Sequence, residues 1–176
     1  MSQLPFSKVF IVILFATAFI FPNCTSHKKV LPANTDQLEA NKKMYTHVWD
    51  EILNKGEIET FNDSNWVKNA VVHANPNDIV GIDSIKAYYG QFLTGFSNIQ
   101  FTVKDIFGEG EKMVKFWNFK GTHTGLFFGI PATNKSVSID GTTLIKMENG
   151  KIAEEQDFFD NLDFMTQLGV IPAGGK

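Results

Sequence analysis

Asn149-Gly150 separates two stretches in which apolar and polar residues alternate, residues 136–148 and 151–159. Asn and Gly both accept positive φ, which a type I′ turn requires at its two central positions, so the pair specifies a tight antiparallel hairpin. Within each strand, a side chain's face follows from its number. Val137, Ile139, Thr143, Ile145 and Met147 align on one arm; Ala153, Glu155, Asp157 and Phe159 align on the other. Upstream, residues 99–107 and 112–123 alternate in the same way around a Gly-Glu-Gly-Glu turn at 108–111. Met113, Trp117, Phe119 and His123 share one face of the long strand, opposite Val114, Phe116 and Asn118. Large side chains on both faces predict a sheet covered on one side by its own helices and on the other by a second subunit, a homodimer through the sheet.

The first half of the chain reads as helices and one short strand. Asn34, with Gln37 three residues on, fits a helix start. Leu38, Tyr45, Val48, Trp49, Ile52 and Leu53 then form an apolar stripe that Gly56 ends. Tyr45 and Trp49 lie one turn apart on it. They either pack a core or roof a cavity into which the Tyr45 hydroxyl points, and a buried hydroxyl needs a partner. Residues 66–73 are strand-like, which places His73 at a strand end, as a pocket residue or a loop anchor. Asp83 is a good cap for a second helix, whose stripe of Ile85, Tyr88, Tyr89, Phe92 and Leu93 could bring Tyr89 or Phe92 to a pocket. Asp160 caps a last helix over 161–168, stopped by Gly169 and Pro172. Helix, short strand, helix, four-strand meander and short helix make an α+β fold with an antiparallel sheet.

The front of the chain is not part of this domain. Residues 9–21 are an almost unbroken apolar run, the size of a signal-peptide core and short for a membrane span. Phe21-Pro22-Asn23-Cys24 follows, then polar residues. This resembles a bacterial lipoprotein signal in which Cys24 becomes the lipidated first residue, although Phe21 and Asn23 depart from the usual box; the alternatives are an uncleaved N-terminal anchor or ordinary secretion with a spare thiol. The expected organisation is a signal segment over 1–24, a flexible tether over 25–34, a domain over 35–172 and a tail over 173–176. The expected location is the cell envelope, periplasmic or at the outer membrane, tethered by lipid without spanning.

Composition excludes several chemistries. All 16 basic residues are Lys, so no bidentate Arg clamp for phosphate is available. A net charge of -3 without a basic cluster argues against nucleic acid. Cys24 is the one cysteine, and His27, His47, His73 and His123 lack ligand spacing, so no metal site is expected. No nucleophile elbow or Gly-rich phosphate loop occurs, and no cofactor is called for. Seventeen Phe against three Tyr and three Trp suit an apolar cavity for a small hydrophobic ligand. Asp157 is the acid to single out: Phe158 and Phe159 adjoin it. Apolar surroundings tend to push a carboxyl up toward the range of a neutral-pH acid/base. Asp160 is read as the helix cap, and Glu154 and Glu155 as solvated, although Glu155 shares the face of Asp157 and, if both point inward, like-charge repulsion would raise one of the two pKa values further.

Gly121-Thr122-His123-Thr124-Gly125, Gly129-Ile130-Pro131-Ala132-Thr133, Asn149-Gly150-Lys151-Ile152, residues 157–160 and Gln167-Leu168-Gly169 resemble, in order and spacing, the SnoaL-like polyketide cyclase (ester cyclase) family of the nuclear-transport-factor-2-like superfamily. The similarity covers residues 36–172. It implies a cone-shaped domain, a curved sheet wrapped around the N-terminal helices with an apolar cavity open at one end. It also implies an acid on the late strand, here Asp157, acting as general acid/base in an intramolecular aldol closure with a histidine on the preceding strand. That second position falls near Thr143, which cannot do the job. His123 could substitute if the fold brings it to the cavity. Tyr45, Trp49, His73, Tyr89, Phe92, Trp117, Phe119 and Phe159 are the candidate cavity residues. Two readings follow: a cofactor-independent cyclase, isomerase or lyase acting on a small hydrophobic carbonyl compound, or a membrane-tethered module that binds a ligand without chemistry. Fold alone does not choose between them.

Overall fold

A computed structural model describes residues 35–172. The apolar run, Cys24, the tether, Asn34 and the tail at 173–176 lie outside the described residues. Helix α1, Thr35–Trp49, continues into one π-helical turn, Asp50–Asn54, before Gly56 takes φ of 75° and ends it. Tyr45, Val48, Trp49, Ile52 and Leu53 are buried, as the stripe predicts. The wider turn lets the adjacent Ile52 and Leu53 both face inward.

Strands β1 (Trp66–Val72) and β2 (Ile79–Val80) precede helix α2 (Ile82–Gly95). The meander β3 (Phe96–Glu109), β4 (Lys112–His123), β5 (Ser136–Glu148) and β6 (Lys151–Phe159) leads to helix α3 (Asn161–Gln167). The expected turn residues behave as their chemistry dictates. Asn149 and Gly150 have φ of 51° and 79°, and the Asp163 amide donates to Asp160 Oδ1 at 2.9 Å at the start of α3. Asp83 is not the cap of α2. Ile79 and Val80 pair with Val72 and Val71, so the chain stays extended up to Gly81. Gly81 then makes the turn with φ of 87° and Asp83 sits within the first helical turn.

The six strands form a curved, unclosed sheet in the order β2-β1-β6-β5-β4-β3. It is not wholly antiparallel: β1 runs parallel to β6. After β2 and α2 the chain enters the sheet at its far edge and walks back through the meander, so β6 reaches β1 by a crossover and not by a hairpin. Register breaks at Ser97/Gln100 and Val103/Asp105 in β3, the first around Asn98 at φ of 52°, bend that edge strand.

The inner face carries two aromatic clusters. One gathers Tyr45, Trp49, Ile52, Trp66, Tyr89 and Met147 under α1 and α2. The other gathers Phe96, Trp117, Phe119, Phe127, Phe164 and Leu168 near α3. Phe92, Ile99 and Phe101 pack against both. On the outer face Phe116, Leu144 and Phe158 remain exposed.

Candidate functional site

Pairing of β4, β5 and β6 stacks three rows of side chains on the inner face. Met113, Ile145 and Glu155 are register partners; Lys115, Thr143 and Asp157 are next; Trp117, Gly141 and Phe159 follow. The middle row is polar although it lies between two apolar clusters. The Trp117 indole crosses the bare backbone of Gly141, where a Cβ would lie 2.2 Å from Trp117 Cζ2. From there Trp117 Nε1 donates to Thr143 Oγ1 at 2.9 Å, and the Thr143 hydroxyl donates to Asp157 Oδ1 at 2.5 Å. Tyr89, from α2, donates to Asp157 Oδ2 at 2.9 Å. Both oxygens of Asp157 are therefore held by hydroxyls from different elements, while each keeps lone-pair capacity for a ligand.

One residue pair back, Glu155 is buried. Tyr45 Oη and Trp49 Nε1 both donate to its Oε1, the indole at 3.0 Å, and its buried Oε2 has no hydrogen-bond partner among the described residues. Burial pushes this carboxyl up to about 7; the neighbouring Lys115 charge opposes the rise and Asp157 adds to it. Lys115 is 2% exposed. Its Nζ lies 4.6 Å from the Trp49 ring centroid and 5.0 Å from those of Tyr45 and Phe101. Burial pulls its pKa down, against the raising effect of Glu155 and Asp157. Burial likewise raises the Tyr45 and Tyr89 phenols well above their usual value, so both remain hydrogen-bond donors.

Two cavities meet at Asp157. The inner one is walled by Trp49, Tyr89, Phe101, Trp117 and Phe119, with Lys115 and Asp157 as its charged groups. It is narrow, with a volume of about 40 Å³. The outer cleft, about 620 Å³, runs past His73, Phe128 and Gln156. Tyr88, Phe92, Asp157 and Phe159 line both. A narrow apolar chamber with few polar groups, opening into a wider mouth, is the form that small-molecule sites take.

The structure thus brings together Asp157, Trp49, Tyr89, Phe92, Trp117, Phe119 and Phe159. Tyr45 is beside them but turns its hydroxyl to Glu155 and lines neither cavity. His73 stands at the outer cleft, with Nδ1 3.1 Å from Asp78 Oδ1 and Nε2 3.6 Å from Glu154 Oε2. His123 does not join Asp157. It lies eight residues along β4 from Lys115, roughly 26 Å of strand. It is buried against Phe96 and Phe127, and Thr133 is held at its Nδ1. Alternation placed it on the correct face but at the wrong end of the strand.

Lys115 and Glu155 are the residues that sequence reasoning missed or misread. Lys115 falls between Met113 and Trp117 on the inward face, so the same alternation could have found it. Glu155 is not solvated: it shares the Asp157 face and is drawn in by Tyr45 and Trp49.

The model of the SnoaL-like polyketide cyclase family matches residues 42–168. Solved structures with the same fold include a SnoaL-like protein from Jannaschia sp. CCS1, 21% identical, with a TM-score of 0.69 over 76% of this chain and 94% of that one. TsrD from Streptomyces laurentii is 23% identical, with a TM-score of 0.68 over 76% and 97%. A SnoaL-like polyketide cyclase from Agrobacterium tumefaciens str. C58 is 14% identical, with a TM-score of 0.60 over 73% and 98%. No curated protein matches the chain by sequence.

Proposed function

Because the chain belongs to the SnoaL-like polyketide cyclase family, we propose that it moves a proton at the carbon beside a carbonyl of a small hydrophobic compound, with Asp157 as general acid/base. The carrying observation is the position of Asp157, at the junction of the two cavities with each oxygen anchored by a hydroxyl. A substrate entering through the outer cleft would place its apolar body among Trp117, Phe119 and Phe159. Its α-carbon would then face the carboxylate. Asp157 takes the α-proton, the resulting enolate adds to a second carbonyl of the same molecule or reprotonates elsewhere, and Asp157 returns the proton. No electrons are exchanged. Tyr89 and Thr143 fix the carboxylate, so little reorganisation accompanies the transfer. His123 takes no part in this reading.

The test needs no knowledge of the product. Apolar ketones and aldehydes bearing an α-hydrogen are incubated with the protein in D2O, and deuterium uptake is followed by mass spectrometry. Asp157→Asn is expected to lower the exchange rate on the order of 10² to 10⁴-fold, the usual share of a positioned acid/base. Equal exchange by the wild type and the variant would leave the domain a binding module.

A further inference from the structure

Lys115 is a long cationic side chain on the inner face of a sheet, in a cavity walled by rings, and the proton transfer proposed for Asp157 does not use it. Such burial is costly unless the group is paired or has work to do. Among the described residues no carboxylate lies within 4.0 Å of its Nζ to form an ion pair; the three aromatic faces of Tyr45, Trp49 and Phe101 hold it at 4.6–5.0 Å. The titratable groups around it are Glu155 and Tyr45 behind it, and Asp157 and Tyr89 across the Thr143 position. The amine therefore lines an apolar chamber together with the Asp157 carboxylate, two strands away and close enough for each to feel the other's charge.

We infer that Lys115 is a nucleophilic amine that captures the carbonyl of an aldehyde or ketone in the inner cavity as an imine. The inference rests on the reading that this cavity takes a small carbonyl compound. The nitrogen lone pair attacks the carbonyl carbon and a C–N bond forms. Asp157 relays a proton from nitrogen to oxygen, giving a carbinolamine. The C–O bond then breaks, oxygen leaves as water with the two hydrogens that began on nitrogen, and a C=N bond remains. Hydrolysis returns one water and frees both partners, so no oxidant or reductant is needed. Protonation of the imine nitrogen by Asp157 gives an iminium ion, which withdraws electrons from its α-carbon more strongly than the parent carbonyl does, and the carboxylate so regenerated can take the α-proton. A lysine desolvated among rings is the kind whose amine is available near neutral pH, and the downward pull of burial on Lys115 agrees.

Reductive trapping tests this. The full domain is incubated at pH 7 with benzaldehyde and sodium cyanoborohydride, and the labelled site is mapped by peptide mass spectrometry. The expected result is a single benzyl group on Lys115, lost in Lys115→Met. Labels confined to exposed lysines such as Lys68 and Lys120 would overturn the inference, and wild-type mapping decides this even if the variant does not fold. Quenching of Trp49 and Trp117 fluorescence by benzyl alcohol, which cannot form an imine, reports cavity occupancy separately. Occupancy without a Lys115 label removes the lysine role and leaves the Asp157 reading intact. Neither occupancy nor label removes both.

Discussion

Glu155 is a carboxyl that its environment carries into the neutral range. Its carboxyl is pushed from an ordinary 4.5 up to about 7 by burial, so the folded protein holds that proton more tightly than the unfolded chain does. Between about pH 4.5 and pH 7 the unfolded state binds fewer protons, and stability falls as pH rises through that window. A shift of this size corresponds to about 3 kcal/mol at most, with the Lys115 charge acting against it. The urea midpoint of the wild type should therefore drop between pH 5 and pH 7.5. Glu155→Gln keeps an acceptor for Tyr45 and Trp49 but cannot titrate, so its midpoint should change much less. Parallel pH dependence in the two proteins would show that Glu155 does not titrate there. The same residue shows why a carboxylate in an alternating strand is hard to read: a solvated Glu and a buried one look alike until Tyr45, 110 positions away, is known to face it.

At the scale of elements, β5 sets the geometry of the site through a glycine. Gly141 lies opposite Trp117, and its missing side chain is what lets the indole lie flat enough to reach Thr143. Gly141→Ala would put a methyl 2.2 Å from the ring. The indole must then move, at a cost of about 1–3 kcal/mol for overpacking. Thr143 also loses the donor that orients its hydroxyl toward Asp157. The expected outcome is a lower urea midpoint and a shifted tryptophan emission, both measurable in one titration. An unchanged spectrum would mean that the indole does not rest on Gly141. The Asn149-Gly150 hairpin is the complementary case, a local turn that pairs Met147 with Ile152, after which a one-residue register shift between Lys146 and Met147 brings Thr143 opposite Asp157. Alternation within β4 and β5 was legible for the same reason, because period two is a property of the backbone itself.

At the scale of the molecule, none of the described helices covers the outer face of the sheet. Phe116 and Phe158 flank Thr142 in one register row, and Leu144 lies in the next. These exposed apolar side chains on one face are what the expected homodimer would bury. Sedimentation velocity should give a dimer for the domain and a monomer for a Phe116→Lys, Leu144→Lys variant. A wild-type monomer at tens of micromolar would rule the interface out.

Sequence by itself determined the elements and their faces: the stripe on α1, the alternation of β4 to β6, the Asn-Gly turn, the Asp160 cap and the family. Each depends on residues within a few positions of one another, so local periodicity and turn chemistry suffice. Tertiary structure alone decided which residues meet. The parallel pairing of β1 with β6, the displacement of His123 from the acid and the Lys115–Glu155 arrangement behind Asp157 all join residues far apart in the chain. Pairing across such distances is set by how the curved sheet closes over the helices, and no short stretch of sequence carries that information.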